Sequence, residues 1–114
     1  MIQVHYKRND KKRIIYAING MNFYQNNIDD CYDEKDKIVE EISLMFVNAE
    51  KRNNSGKHSA DVSGKSNVVQ TAFVFVSGDY VNVSCYDWSN EMSYADKLVV
   101  GIVKKELNTW LSSN

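Results

Sequence analysis

The stretch from residue 70 to 86 constrains the chain most. Two runs rich in β-branched and aromatic residues flank Gly78-Asp79. Such a pattern predicts two strands joined by a tight two-residue turn. With that turn, Val76 faces Val81, Val74 faces Val83 and Ala72 faces Cys85, so one face of the hairpin is wholly apolar. An apolar sheet face must be covered. The other face mixes Phe73, Phe75, Tyr80 and Tyr86 with Thr71, Asn82 and Ser84.

Two amphipathic segments are available as covers. Residues 34–51 carry Ile38, Ile42, Met45, Phe46 and Ala49 on one helical stripe, with Asp33 as N-cap and Lys51 and Arg52 at the C-terminal end. Residues 91–111 place Ala95, Leu98, Val99, Ile102, Val103, Leu107 and Trp110 on a wide stripe, which predicts a second helix. Upstream, alternation predicts strands at 2–7, 13–18 and 21–26, the last two joined by Asn19-Gly20, a dipeptide suited to hairpin turns. Residues 53–67 have the composition of a mobile loop. The expected architecture is α+β: a mostly antiparallel sheet in the order βββαββα, with two helices packed on one face.

A chain of 114 residues, 43% hydrophobic and 25% charged, fits one globular domain over residues 1–114. No apolar run approaches the roughly 20 residues of a membrane span, so no membrane partner is expected. The N-terminal residues lack a signal-peptide apolar region, which predicts a cytoplasmic protein. There Cys31 and Cys85 would be reduced, with Cys85 a small core residue.

The net charge of −1 hides an uneven distribution. Residues 1–20 hold five basic and one acidic side chain, +4; residues 28–50 hold eight acidic and two basic, −6. The first gives a basic cluster at Lys7, Arg8, Lys11, Lys12 and Arg13, the second an acidic block. Nucleic acid is disfavoured as a partner, because bulk charge does not support it and the acidic block opposes it. The basic cluster reads as a hairpin tip blunted against edge pairing.

Catalytic and metal-binding chemistry find little support. Ser63-Gly64-Lys65-Ser66 echoes the end of a phosphate-binding loop, but position 59 is serine where that motif needs glycine. The acids from Asp29 onward miss calcium-loop spacing, with Cys31 at the third position and Glu34 at the sixth. His5 falls on the polar face of a strand, where it is solvated, and His58 in the mobile loop, where no fixed neighbours position it as a general base, so no enzyme activity and no cofactor are expected.

The feature with most functional content is Tyr24 and Tyr32 among Asp29, Asp30, Asp33, Glu34 and Asp36. Aromatic anchors ringed by carboxylates suit docking on a basic protein partner. In size, α+β layout, lack of a catalytic set and acidic patch over residues 29–36, the chain resembles the small bacterial immunity proteins of contact-dependent growth inhibition. That resemblance is of layout and involves no motif. It implies a non-enzymatic protein that neutralises a toxin domain, for instance a nuclease, by docking through those seven residues. The alternatives are a self-associating assembly subunit and a small nucleic-acid-binding module, the latter stacking bases on Phe73, Phe75, Tyr80 and Tyr86.

Overall fold

The computed structural model describes residues 2–6, 15–25 and 27–105. It is an α+β structure. Strands β1 (Ile2–Tyr6) and β2 (Ile15–Tyr24) precede helix α1 (Ile28–Met45). Strands β3 (Glu50–Lys57), β4 (Asn67–Val74), β5 (Tyr80–Asp87) and β6 (Asp96–Val103) follow, with a single 3-10 turn at Asn90–Met92. All six strands form one antiparallel sheet in the order β1-β2-β6-β5-β4-β3. Helix α1 lies on one face, against β5, β6 and the end of β2. It is the one α-helix among the described residues.

The expected second helix is therefore corrected. Its first half is β6, at the centre of the sheet between β2 and β5. Leu98, Val99, Val100, Ile102 and Val103 form a near-continuous apolar run, which fits a helical stripe and a central strand equally well. Four of the five are β-branched, and that branching favours the pleated chain. Leu107 and Trp110 lie outside the described residues, as do Lys7, Arg8, Lys11, Lys12 and Arg13.

The Asn19-Gly20 turn is not formed either. Strand β2 runs straight through it, pairing Gly20 with Ile2 on one side and Val100 on the other. Paired on both edges, Gly20 keeps an ordinary strand conformation, so the expected strands at 13–18 and 21–26 are one. Among the described residues the βββαββα order becomes ββαββββ, with α1 as the covering helix; positions 106–111 of the expected second helix lie outside them. Residues 53–57, read as loop, belong to β3, where Asn53 pairs with Thr71 and Gly56 with Val68.

The hairpin between β4 and β5 exists, with a longer turn. Residues 75–79 form it, closed by the Phe75 amide donating to the Asp79 carbonyl (2.9 Å) and the Gly78 amide donating to the Phe75 carbonyl (2.8 Å). Gly78 takes φ +90°, which a side chain would resist. Phe73 then faces Val81 and Thr71 faces Val83. An odd shift in register exchanges the faces of one strand. Phe73, not Val74, joins Val81, Val83, Cys85 and Leu98 under the helix, while Val76 is fully exposed at the turn. The expected apolar face of Val74, Val76, Val81 and Val83 is corrected accordingly, and Ile102, from the stripe expected to help cover it, is exposed.

Val81 is 7% exposed within this cluster. Val81→Asp would bury an unpaired charge, at a cost of several kcal/mol, and is expected to unfold the domain. A melting curve unchanged from wild type would contradict this packing.

Candidate docking face

Helix α1 is pinned from its inner side. Cys31, Lys35, Val39 and Ile42 recur at spacings of four, four and three, and all are buried. Cys31 is disulfide-bonded to Cys85 in the middle of the core, with 6.1 Å between the Cα atoms. The expectation of two free thiols is thus corrected: one helical and one strand cysteine meet where the apolar stripe crosses the sheet.

One turn on, the Lys35 amine donates to the Thr71 hydroxyl (2.8 Å), which donates to the Asn53 side-chain carbonyl (2.8 Å). Lys35 is 7% exposed. Burial lowers its pKa and the Lys51 charge adds to this, while the Asp36 carboxylate works the other way. Beside it, an open cleft of about 450 Å³ runs along Asn53, Ser55, Val69 and Thr71, where the sheet extends past the helix.

The outer side of α1 is acidic. Asp29, Asp30, Asp33, Asp36, Glu40 and Glu41 are exposed, Glu34 is half-buried, and Lys37 is the one exposed cation among the described residues of the helix. Asp33 is not the N-cap, since the helix starts at Ile28 and places Asp33 inside it. Asn27 holds that boundary position, its side-chain amide donating to the Asp30 carboxylate (2.5 Å). Asp29 and Asp30 in the first turn suit the positive end of the helix dipole.

Of the seven residues expected to meet a partner, the structure brings Asp29, Asp30, Asp33 and Asp36 onto one solvent-facing surface. Tyr24 and Tyr32 turn inward and pack against the core cluster. The Tyr24 hydroxyl accepts from the Asn22 side chain (3.2 Å). The Tyr32 pKa is raised by burial, and further by the nearby charges of Asp87, Asp96 and Asp29. The two rings back the acidic surface from behind.

An apolar ledge, missed in the sequence, stands at the other end of the helix. Leu44, Met45, Phe46 and Val47 are exposed where α1 stops, and fully exposed Val76 lies beside them. Phe46 leaves the helix to meet Phe75 edge to face, 5.1 Å between ring centres. A shallow hollow of about 230 Å³ opens there, lined by Met45, Phe46, Val47, Ala49, Phe75 and Val76. The helical stripe read from the sequence predicts Met45 and Phe46 toward the core, which the structure corrects. Ending the helix at Met45 releases them to the surface.

The segment from 58 to 66 is tied down by one carboxylate. Asp61 is buried and accepts from the amide and hydroxyl of Ser63 (3.0 and 2.7 Å) and from the hydroxyls of Ser66 and Ser89 (2.5 and 2.6 Å). These bonds hold its carboxyl well below the usual range. The echo of a phosphate-binding loop is thus a serine cage around Asp61.

Among the described residues no group of three or more His, Cys, Asp or Glu is placed to hold a metal ion. No described helix is long and apolar enough to cross a membrane. Comparison with known protein families, curated proteins and solved structures finds no match.

Two outcomes follow from the pinned helix. Replacing Cys31 and Cys85 together by serine opens a loop closed across 54 residues of sequence. In a chain-entropy account this costs about 4 kcal/mol of stability, readable by urea denaturation. A double variant as stable as wild type would show that the bridge does not constrain the unfolded chain.

Lys35 gives a pH signature. With its folded pKa below 10.5, the unfolded chain binds the proton more tightly between the two values. Stability therefore rises with pH across that window, and the cost of burying the charge is present in full below it. Lys35→Met leaves Thr71 bonded to Asn53, so stability at neutral pH should be equal or higher and the rise toward pH 10.5 should vanish. A marked loss of stability at neutral pH would mean that the amine is itself a structural tie.

Proposed function

We propose that this protein is a non-enzymatic binder that docks the outer face of α1 on a partner domain with a basic surface, and that the partner is a toxin domain which docking neutralises. The observation that supports this reading is the row of exposed carboxylates Asp29, Asp30, Asp33, Asp36, Glu40 and Glu41 on one helix whose opposite side is disulfide-bonded to the sheet. A rigid acidic surface draws a basic partner at long range and imitates the phosphates that a nuclease would attract. Glu34 and the backing rings Tyr24 and Tyr32 belong to the same surface. The ledge at Met45, Phe46 and Val76 supplies the desolvated anchor that such interfaces concentrate their binding energy in.

Immunity to a toxin acting inside the cell requires a cytoplasmic location. The Cys31–Cys85 bridge weighs toward an oxidising compartment, since cytosolic reductants keep most such pairs as thiols. Thiol labelling of the protein from its native cells separates the two locations.

A second reading, self-association through the same ledge, is favoured by the exposure of Leu44, Met45, Val47 and Val76 side by side. Light scattering over a range of concentration tests it, and a constant monomer mass removes it.

The docking reading is tested on the partner that co-purifies from native cells. Reversing Asp30, Asp33 and Asp36 to lysine should slow association at least tenfold at low salt, by loss of steering. The deficit should shrink as the Debye length falls below about 8 Å. Val47→Ser should leave the association rate unchanged and raise the dissociation rate. A triple variant that associates as fast as wild type at low salt would show the acidic face to be only a solvated helix surface.

A further inference from the structure

The sheet face turned away from α1 carries an aromatic cluster that the docking reading does not use. Phe23 of β2, Lys97 of β6 and Tyr86 of β5 stand in one row, paired across three adjacent strands. The Lys97 amine sits over the Tyr86 ring, 5.0 Å from its centre. Trp88 stacks against Tyr86 at 5.9 Å with 17° between planes, and Tyr94 meets Trp88 edge to face at 5.2 Å. His58 packs beside Trp88 and Tyr86, with 4.6 and 6.0 Å between ring centres.

A cavity of about 340 Å³ opens between Phe23, Trp88, Ser93, Tyr94, Ala95 and Lys97. That is the low end of small-ligand sites, room for one ring-bearing unit and not for a large cofactor. Phe23 is 51% exposed and Tyr94 60%, so ring surface is left open to solvent.

The cluster is held from behind. The Trp88 amide donates to the Asp96 carboxylate (2.9 Å), and the Ser89 amide donates to the Ser66 hydroxyl in the Asp61 cage (2.8 Å). Ser93, at the cavity wall, takes a left-handed φ of 56° that a serine adopts at some cost. The rings are thus positioned before any ligand arrives.

We infer that this cleft binds a nucleotide unit of a single-stranded nucleic acid, its base against Trp88 and Tyr94 and its phosphate against Lys97. The chemistry of the lining selects that class. A ligand here must present a flat or apolar face beside an anion, because one cation stands among rings and none of the lining residues is acidic. A sugar lacks the anion, and a duplex hides its base faces. Sheets that bind single strands use this combination of ring platforms and cations. The carboxylates of Asp29, Asp87 and Asp96 surround Tyr32 on the helix side, and the acidic face of α1 lies beyond them. Of these acids Asp29 lies close enough to act on Asp87 beside Trp88, and Asp96 accepts from the Trp88 amide. Asp30, Asp33, Asp36, Glu40 and Glu41 point outward from the helix, a layer removed from the cleft, where salt screens them.

The test uses the full chain and a fluorescently labelled oligothymidylate of about eight nucleotides, the middle of the range one such platform covers. Saturable binding by anisotropy is expected at about 0.15 M salt, where the Debye length is about 8 Å. Tyr94→Ala and Phe23→Ala, both at exposed rings, should each weaken it about tenfold. Lys97→Gln should weaken it and reduce its salt dependence by about one ion. Lys51→Gln, which removes a cation on the helix side of the sheet, should leave it unchanged, and circular dichroism should show each variant folded. Absence of saturable binding overturns the inference, as does binding that ignores both ring variants. Thymidine monophosphate binding as tightly as the oligonucleotide overturns it too, since the cleft would then take a free nucleotide.

Discussion

A six-stranded sheet spaced at about 4.8 Å is roughly 24 Å across, whereas a helix covers about 10 Å of width. Helix α1, with 18 residues, is the single α-helix among the described residues available to cover that area. It settles over β5 and β6, and the deepest residues follow it: Val83 and Cys85 on β5, Leu98 on β6, Phe73 on β4, and Cys31 on the helix itself. Among the described residues, no other element covers the rest of the sheet. On β3 and β4 beside the helix the open surface is polar, with Asn53, Ser55 and Thr71 around the Lys35 amine. The register of the hairpin serves the same economy, because it turns Phe73 inward and leaves Val76 at the tip.

The limited cover also separates the chemistry of the two faces. On one side a helix bonded to the sheet by a disulfide near its N-terminal end carries carboxylates outward and an apolar ledge at its other end. On the other a row of rings and a lysine lies open on the strands. A net charge of −1 conceals this, since it does not show that the carboxylates of α1 are gathered on its outer side. The buried Asp61 cage ties the turn at 58–66 to Ser89 just past β5, and the Trp88–Asp96 bond ties that end to β6, so the aromatic side too is held by bonds from behind.

The hairpin of β4 and β5 was legible in the sequence because its residues are both β-branched and bounded by Gly78, and the α+β class with it. The α1 stripe was legible in part. Ile42 and the acidic outer residues fall where periodicity puts them, yet the helix begins five residues before Asp33 and ends at Met45. The fate of residues 96–103 was not legible, because an apolar run satisfies a period of 3.6 as well as a buried strand does. Only the other strands decide between the two, by leaving a central vacancy between β2 and β5. The same vacancy overrides Asn19-Gly20, whose turn preference is worth less than two rows of ladder bonds. The candidate site divides along that line. Local charge pattern located Asp29, Asp30, Asp33 and Asp36, while the Cys31–Cys85 bridge, the inward turn of Tyr24 and Tyr32, and the ledge at Phe46 depend on long-range packing.

The position of β6 has a consequence for how the chain comes together. Strands β1 and β2 can pair early, and β3, β4 and β5 can form a meander of their own, since all those partners are close in sequence. The two pieces share no ladder until β6 enters between them, pairing Met21 with Val99 on one side and Ser84 with Val99 on the other. Joining them closes a long loop after most of the chain is already in place, the kind of contact that slows folding. During synthesis on a ribosome, the facing edges of β2 and β5 would stay open until residues near 103 emerge. For that interval they are the places where a nascent chain could pair with a neighbour or be held by a chaperone.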